Sequence, residues 1–495
     1  MLKKVISIAC IFVILAGMLA GCAPAAKEAA QPAEAQPAAP EEKKFKTNEI
    51  TMYIRMMEAQ DKWFRENIVQ PFEQEYGVKV NVMTFQTEME LENALNLDKN
   101  KNTIGLVKTM HTQLTPLVEK NLVMSLEEAV GDKYKEDIKE YADAAMEMAT
   151  INGKVYYIPR KLETNTLLYL KSKVEDAVGN WKKFESQISS MFKAENGVGL
   201  PEGYALEADP NEWDWYDLAV VGYYWANTEY DGKKEPRIAH RGKKYDGTVV
   251  ELVTKIYQIG GKAEDVLAMN TQPVVDTFQW ETFYQKNNLY NPGMWEEEWS
   301  GGGIWNAMAA GKVYMAFMHQ MDGFFVHGGS DPSMTGYLAQ PDDMAMAIMP
   351  QGASLELKDG KPARTGIHGS QLAGWWWGIP KSAPDAELSY ELARFITNKE
   401  NQTRECQTFG IMPIRNDITG DLGNTFKEQW MQQVFDVAQK QISTSVQPLP
   451  KVKTFPEIGN VYLEAWYDIV VGKNNKNIQK DLTEKYAPKV AELLK

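Results

Sequence analysis

The feature that most narrows the fold is an alternation of short apolar runs with helix-like stretches over residues 50–120. Ile50-Thr51-Met52-Tyr53-Ile54 reads as a strand, Asp61 to Tyr76 as a helix, and Val78-Lys79-Val80-Asn81-Val82 as a second strand. Glu88 to Leu97 then reads as a helix, Thr103–Val107 as a strand and Gln113 to Lys120 as a helix. Strands joined through helices return in the same direction, so they pair in parallel and form a doubly wound α/β layer. Ligands of such layers sit at the carboxyl ends of the strands. That puts the loops Met56-Met57-Glu58-Ala59 and Lys108-Thr109-Met110-His111 at a candidate cleft, with Glu58 and His111 as candidate contacts. The alternative for both loops is an ordinary solvated connection.

Length and charge bound the rest. A chain of 495 residues exceeds one core, so two or more lobes are expected. A hydrophobic fraction of 44%, with 14 Trp, 22 Tyr and 17 Phe, supplies the apolar area to fill them. Fifty-three Lys and Arg against 67 Asp and Glu leave a formal charge of −14, so no nucleic-acid partner is expected and anionic membrane surfaces repel the body. The 5 histidines show no tight ligand spacing, and neither a metal nor a cofactor is expected. The 24 methionines are read as flexible core filler, with copper or peptide binding as minor alternatives.

The N-terminus carries a targeting pattern. Lys3 and Lys4 precede an apolar run from Val5 to Leu19, which ends in Leu19-Ala20-Gly21-Cys22. The run is short for a spanning helix, which needs about 20 residues. Small residues followed by a cysteine resemble the bacterial lipobox. The resemblance implies cleavage after residue 21 and a lipidated Cys22, the alternatives being an ordinary signal peptide or an uncleaved anchor. Residues 22–47 are rich in Ala, Pro, Glu, Gln and Lys and are expected to form an extended tether. Of Cys10, Cys22 and Cys406, only Cys406 would remain a free thiol, so no internal disulfide is expected in the mature chain.

Further along, three segments share an order and spacing. Asn152-Gly153-Lys154-Val155-Tyr156-Tyr157-Ile158-Pro159 leads through Glu163-Thr164-Asn165 to Leu167-Leu168-Tyr169. Gly311-Lys312-Val313-Tyr314-Met315 follows a helix-like Ile304 to Ala310. Gly374-Trp375-Trp376-Trp377-Gly378-Ile379-Pro380-Lys381 precedes a helix-like Glu387 to Asn398 and Gly410-Ile411-Met412-Pro413. Together they resemble the family 1 extracellular solute-binding proteins of ABC importers, the maltose-binding-protein-like family, from about residue 50 to 490 with a poor match near 195–300. The resemblance implies two doubly wound α/β lobes joined by a multi-strand hinge, the type II periplasmic-binding architecture. It also implies a monomer that takes a small solute, a carbohydrate above all, in an interlobe cleft and delivers it to permease subunits. The expected lobes are 48–160 plus 378–412 and 166–373 plus 416–495, with crossings near 160–165, 374–378 and 411–415.

The site residues follow from the same segments. Glu163 stands where a related protein holds sugar hydroxyls, with Asn165 beside it; the alternative is a hinge carboxylate bonded to backbone. The loop Met318-His319-Gln320-Met321-Asp322 departs from the family's Gly and Trp, so His319, Gln320 and Asp322 become candidate hydrogen-bonding groups, or His319 a structural histidine. Of the three tryptophans, strand alternation puts Trp375 and Trp377 on one face and Trp376 on the other. At least one is expected to stack on a sugar; Trp376 is chosen and Trp375 kept, against the usual fate of core packing. Trp213, in an aromatic and carboxylate cluster, is a further candidate that core packing would equally explain. No catalytic residue is assigned. A lipid-anchored glycosidase would need two carboxylates such as Glu163 and Asp322 flanking a bond, and no nucleophile motif supports hydrolysis.

Overall fold

A computed structural model describes residues 45–328 and 338–495. The signal segment, most of the tether and the lipidation candidate Cys22 lie outside the described residues, as does 329–337.

The first strands form where the apolar alternation predicts them. β1 (Glu49–Ile54), β2 (Lys79–Thr84) and β3 (Ile104–Met110) pair in parallel, with Ile50 opposite Val80 and Tyr53 opposite Val107. A helical stretch over 58–76 connects β1 to β2 and ends at Gly77, whose φ of 65° a side chain would strain. α1 (Glu88–Asp98) connects β2 to β3 and starts at Thr87, whose hydroxyl accepts from the Glu90 N–H at 3.3 Å.

Beyond β3 the sheet is mixed rather than purely parallel. β4 (Tyr157–Leu170) is buried along its whole length. It is joined by β5 (Ile238–Ala239), β6 (Met315–His319), β7 (Met344–Ala347), β8 (Ser370–Gly378) and β9 (Val446–Pro448). The order is β2-β1-β3-β8-β4-β6-β5, with β9 added to β8 and β7 to β4. β8 runs antiparallel to both β3 and β4. β4 changes partners midway: residues 157–164 pair with β8, whereas 165–170 pair with β6 and β7. Near the third expected crossing, Met412 bridges Leu162 and Arg415 bridges Tyr141.

Residues of the region near 195–300 add helices to the continuous hydrophobic core. α2 (Trp215–Asn227) opens on a reciprocal cap between Asp214 and Asp217. It packs with α3 (Asp246–Gln258) and α4 (Gln272–Lys286) around Trp215 and Trp280, whose rings meet edge to face at 5.7 Å. Inside this core Glu281 is fully buried and has four partners. Its oxygens accept from the Tyr290 hydroxyl and the Trp466 indole at 2.8 Å each, pair with the Lys255 ammonium, and lie 3.1 Å from His240 Nε2. Burial favours the neutral acid, but Lys255 and His240 outweigh it and hold the carboxyl far below its usual range. Cys406 is buried, and burial pushes its thiol well above the ordinary value. Among the described residues no helix is long and apolar enough to cross a membrane.

Glu281→Gln removes one side of a buried ion pair and leaves Lys255 uncompensated, so it is expected to cost about 3–5 kcal/mol. A urea melt measures it; an unchanged midpoint would show that the network does not hold the core.

Candidate functional site

The site begins where β4 changes partners. Pro159 lacks an N–H, and the register of β4 against β8 slips here: Trp376 faces Pro159 whereas Trp375 faces Lys161, leaving Arg160 unmatched. Gly374 permits the close approach, since a Cβ on it would lie 2.2 Å from the Lys161 carbonyl oxygen. Lys161 and Glu163, two apart on one strand face, form a buried ion pair.

His319, at the end of β6, holds Nδ1 3.9 Å from Glu163. Burial favours the protonated form of Glu163, yet Lys161 and then His319 prevail and hold its carboxyl at about 2. Burial, aided by repulsion from Arg241, pushes His319 down to about 3. Burial likewise lowers His111, which is within electrostatic reach of Glu163. Both imidazoles are therefore neutral at pH 7, each with one donor and one acceptor. His319 Nε2 has no partner, and the His111 ring approaches the Gly374 backbone without a well-aligned hydrogen bond. Gln320 accepts from the Thr164 N–H at 3.1 Å, and its Nε2 is buried and unpartnered.

Asp322 closes the group from below. It accepts from Arg241 at 2.8 Å, from the His319 N–H at 2.9 Å and from the Trp305 indole at 3.1 Å. Arg241 also bonds Glu251 at 2.6 Å. Beside these lies Trp375, the half-buried member of the tryptophan run, with the Lys108 ammonium 4.1 Å from its ring centre. Beyond Arg55, whose carbonyl accepts from the Lys108 ammonium, is a cavity of about 620 Å³ that none of these cluster side chains lines. Arg55, Glu88 and Gln113 line it from the strand group of β1–β3, and Tyr245, Asp246 and Phe455 from the helices of the other group. Arg55 pairs with Glu88 at 3.2 Å, and burial pushes Glu88 up to about 7 against that attraction. Its Oε2 is buried without a partner.

The fold thus brings His111, Glu163, His319, Gln320, Asp322 and Trp375 together. Of the other four candidates, Asn165 lies opposite His319 in the β4–β6 register but is closed by its own partners, and three lie elsewhere. Glu58 is exposed in the first turn of the 58–76 helical stretch. Asn165 is fully buried, bonded to Glu251 at 2.6 Å and Gln371 at 3.2 Å. Trp213 is fully buried, its indole bonded to the Glu207 carbonyl at 2.8 Å. Trp376 is fully buried, its indole donating to the Ala145 carbonyl at 3.2 Å. The open ring is Trp375, and Trp377 is buried as well, stacked on Phe64 at 6.0 Å. The ring chosen for the cleft, Trp376, is therefore in the core, and Trp375 is the one left half-open. Sequence reasoning reached Lys108 only as part of the 108–111 loop, and passed over Lys161 and Arg241 and the cavity wall of Tyr245, Asp246 and Phe455. Lys161 was findable as the residue two before Glu163; the others carry no local signal.

A family model described as bacterial extracellular solute-binding protein matches residues 67–430. No curated protein sequence matches the chain. Among solved structures, the maltose-bound MalE3 of T. maritima superposes with a TM-score of 0.68 at 15% identity, covering 90% of this chain and 100% of that one. A solute-binding protein of Thermotoga lettingae bound to α-D-tagatose gives 0.66 at 19%, covering 91% and 100%. The GacH receptor of Streptomyces glaucescens, studied unliganded and with acarbose, gives 0.65 at 13%, covering 90% and 98%.

Two outcomes follow from the geometry. Trp376→Ala empties a closed indole site and is expected to cost about 3–5 kcal/mol in a denaturant melt, with Trp375→Ala costing clearly less; equal losses would contradict the placement. Glu163 has a folded value near 2 against 4.5 for the free group. Its contribution is full above 4.5 and is lost as the pH falls towards 2, on the order of 3 kcal/mol. Across that window the wild type should lose more stability than Glu163→Gln, and parallel pH profiles would refute the depressed value.

Proposed function

The chain belongs to the bacterial extracellular solute-binding proteins, and on that premise we propose that it captures a sugar or oligosaccharide between its two strand groups and delivers it to an ABC-type importer. The observation that carries the carbohydrate reading is the cluster at the turn-over point of β4. A carboxylate, an ammonium and two neutral imidazoles offer donors and acceptors in mixture, beside a half-open indole. Hydroxyls both donate and accept, and the C–H faces of a sugar ring pack on an indole. The maltose and tagatose held by similar structures support the same reading.

The motion is hinge closure. Residues 48–160 with 378–412 form one lobe and 166–373 with 416–495 the other, joined by crossings at 160–165, 374–378 and 411–415. A ligand that touches both lobes binds the closed form more tightly and shifts the population towards it by that difference alone. The closed monomer then presents a surface to the permease. Membership of an extracellular family puts the mature chain outside the cytoplasm. Cys22, after Leu19-Ala20-Gly21, carries the lipid that holds it to the membrane.

Calorimetric titration with mono- and oligosaccharides tests the reading. One of them should bind at low micromolar Kd, about −8 kcal/mol. Glu163→Gln should weaken that ligand by at least tenfold, because a charged acceptor bonds hydroxyls about twice as strongly as a neutral one. Unchanged affinity in the folded variant would move the site away from the crossing. Cys22→Ala should abolish incorporation of a labelled fatty acid, and equal labelling of the variant would refute the anchor.

A further inference from the structure

The 620 Å³ cavity carries a carboxylate on each of its two walls. Glu88 opens α1 on the wall of β1–β3, and Asp246 opens α3 on the opposite wall. The Glu88 side chain is only 12% exposed. Arg55 reaches one of its oxygens at 3.2 Å, and the other is buried without a partner. A bare buried oxygen is costly on an ionised carboxylate and much less so on a neutral acid.

Charges reach Glu88 from both walls. On its own side Arg55, just beyond β1, and Lys108 of β3 favour the ionised form; from the other side Asp246 opposes it. Among the remaining charges that line the cavity, Glu92 and Lys120 answer each other at 2.7 Å, and Lys243, Lys453 and Glu457 are exposed. Burial, joined by Asp246, outweighs the two cations and puts Glu88 at about 7. Burial and repulsion both depend on the two walls being together. Parting them brings water to Glu88 and takes Asp246 away.

We propose that this pair of carboxylates makes closure of the cleft sensitive to pH: Glu88 takes up a proton as the walls come together and gives it back when they part. The device rests on the two-lobe hinge reading above and adds a control to it. The free group titrates near 4.5 and the enclosed one near 7, so between these values the closed form holds the extra proton. Closure therefore weakens as the pH rises from 4.5 to 7, by up to about tenfold per unit, and is level above 7. Burial of His111 and His319, which lowers both imidazoles, acts in the opposite sense, so the contribution of Glu88 is read against Glu88→Gln.

The test needs no ligand. Spin labels on Asn93→Cys and Asn460→Cys, exposed neutral residues that line opposite walls, report the gap by pulsed electron resonance in the mature chain. From about pH 5 to about pH 8 the closed-to-open ratio of the otherwise wild-type chain should fall at least about tenfold relative to the same chain carrying Glu88→Gln. Asp246→Asn should reduce that fall, because it removes the repulsion and leaves the burial. Two gaps whose ratio follows the same pH profile with and without Glu88→Gln would overturn the proposal and leave the hinge and carbohydrate readings standing. A relative rise in closure with pH would overturn it too. A single gap in every chain at every pH would remove the hinge reading and the proposal together.

Discussion

Strand β4 must satisfy two sets of neighbours with one continuous backbone. Its first half is bonded to β8 and through it to the parallel strands β1–β3, and its second half is bonded to β6 and β7. Every residue of the strand is buried, so the polar residues at its middle cannot be left to water. They are answered from a neighbouring strand and from packed helices: Thr164 by Ser370 at 2.9 Å, Arg160 by Glu405 and Asn165 by Glu251. The register slip at Pro159 and the close approach of Gly374 follow from making both halves pair at once.

Charge at this midline is what turns a scaffold into a receptor. Asp322, Arg241 and Glu251 form a closed relay in which each charge has an opposite neighbour. They fix the backbone of His319 and so the direction of its ring. Glu163 is held ionised by Lys161, and His111 and His319 are held neutral by burial. Protonation states are therefore set before a ligand arrives, and little reorganisation is needed on binding. The Glu281 network in the helical part of the core is as polar but fully satisfied, which is why it reads as structure while the midline cluster, with its spare nitrogens, reads as a site.

Much of this was legible in order along the chain. The alternation over residues 50–120 predicted β1 to β3 and their parallel pairing, because period and turn chemistry are local. Glu163 and the 318–322 loop were found through segment order, and the fold brings them together. The tryptophan run was harder. Which indole is open depends on partners more than 200 residues away in sequence, the Ala145 carbonyl that takes the Trp376 proton and the Phe64 ring against Trp377. Trp213 and Asn165 were candidate contacts by residue type, but their polar atoms have partners within the protein, the Glu207 carbonyl and Glu251. Lys108 was placed at the cleft only as part of its loop, since a lone lysine at a strand end is ordinary until its carbonyl and ring partners are seen. Cys22 and its lipid belong to residues that the fold does not describe, and their reading rests on the sequence alone.

The central claim is that a ligand sits between the two strand groups and touches Glu163. The most direct measurement is a crystal structure of the mature chain with its tightest-binding saccharide. The account predicts the sugar between Arg55, Glu88 and Gln113 on one side and Tyr245, Asp246 and Phe455 on the other, with a Glu163 oxygen within hydrogen-bond distance of a hydroxyl and a ring face against Trp375. A sugar held by one strand group alone, or bound where Glu163 cannot reach it, would contradict the account.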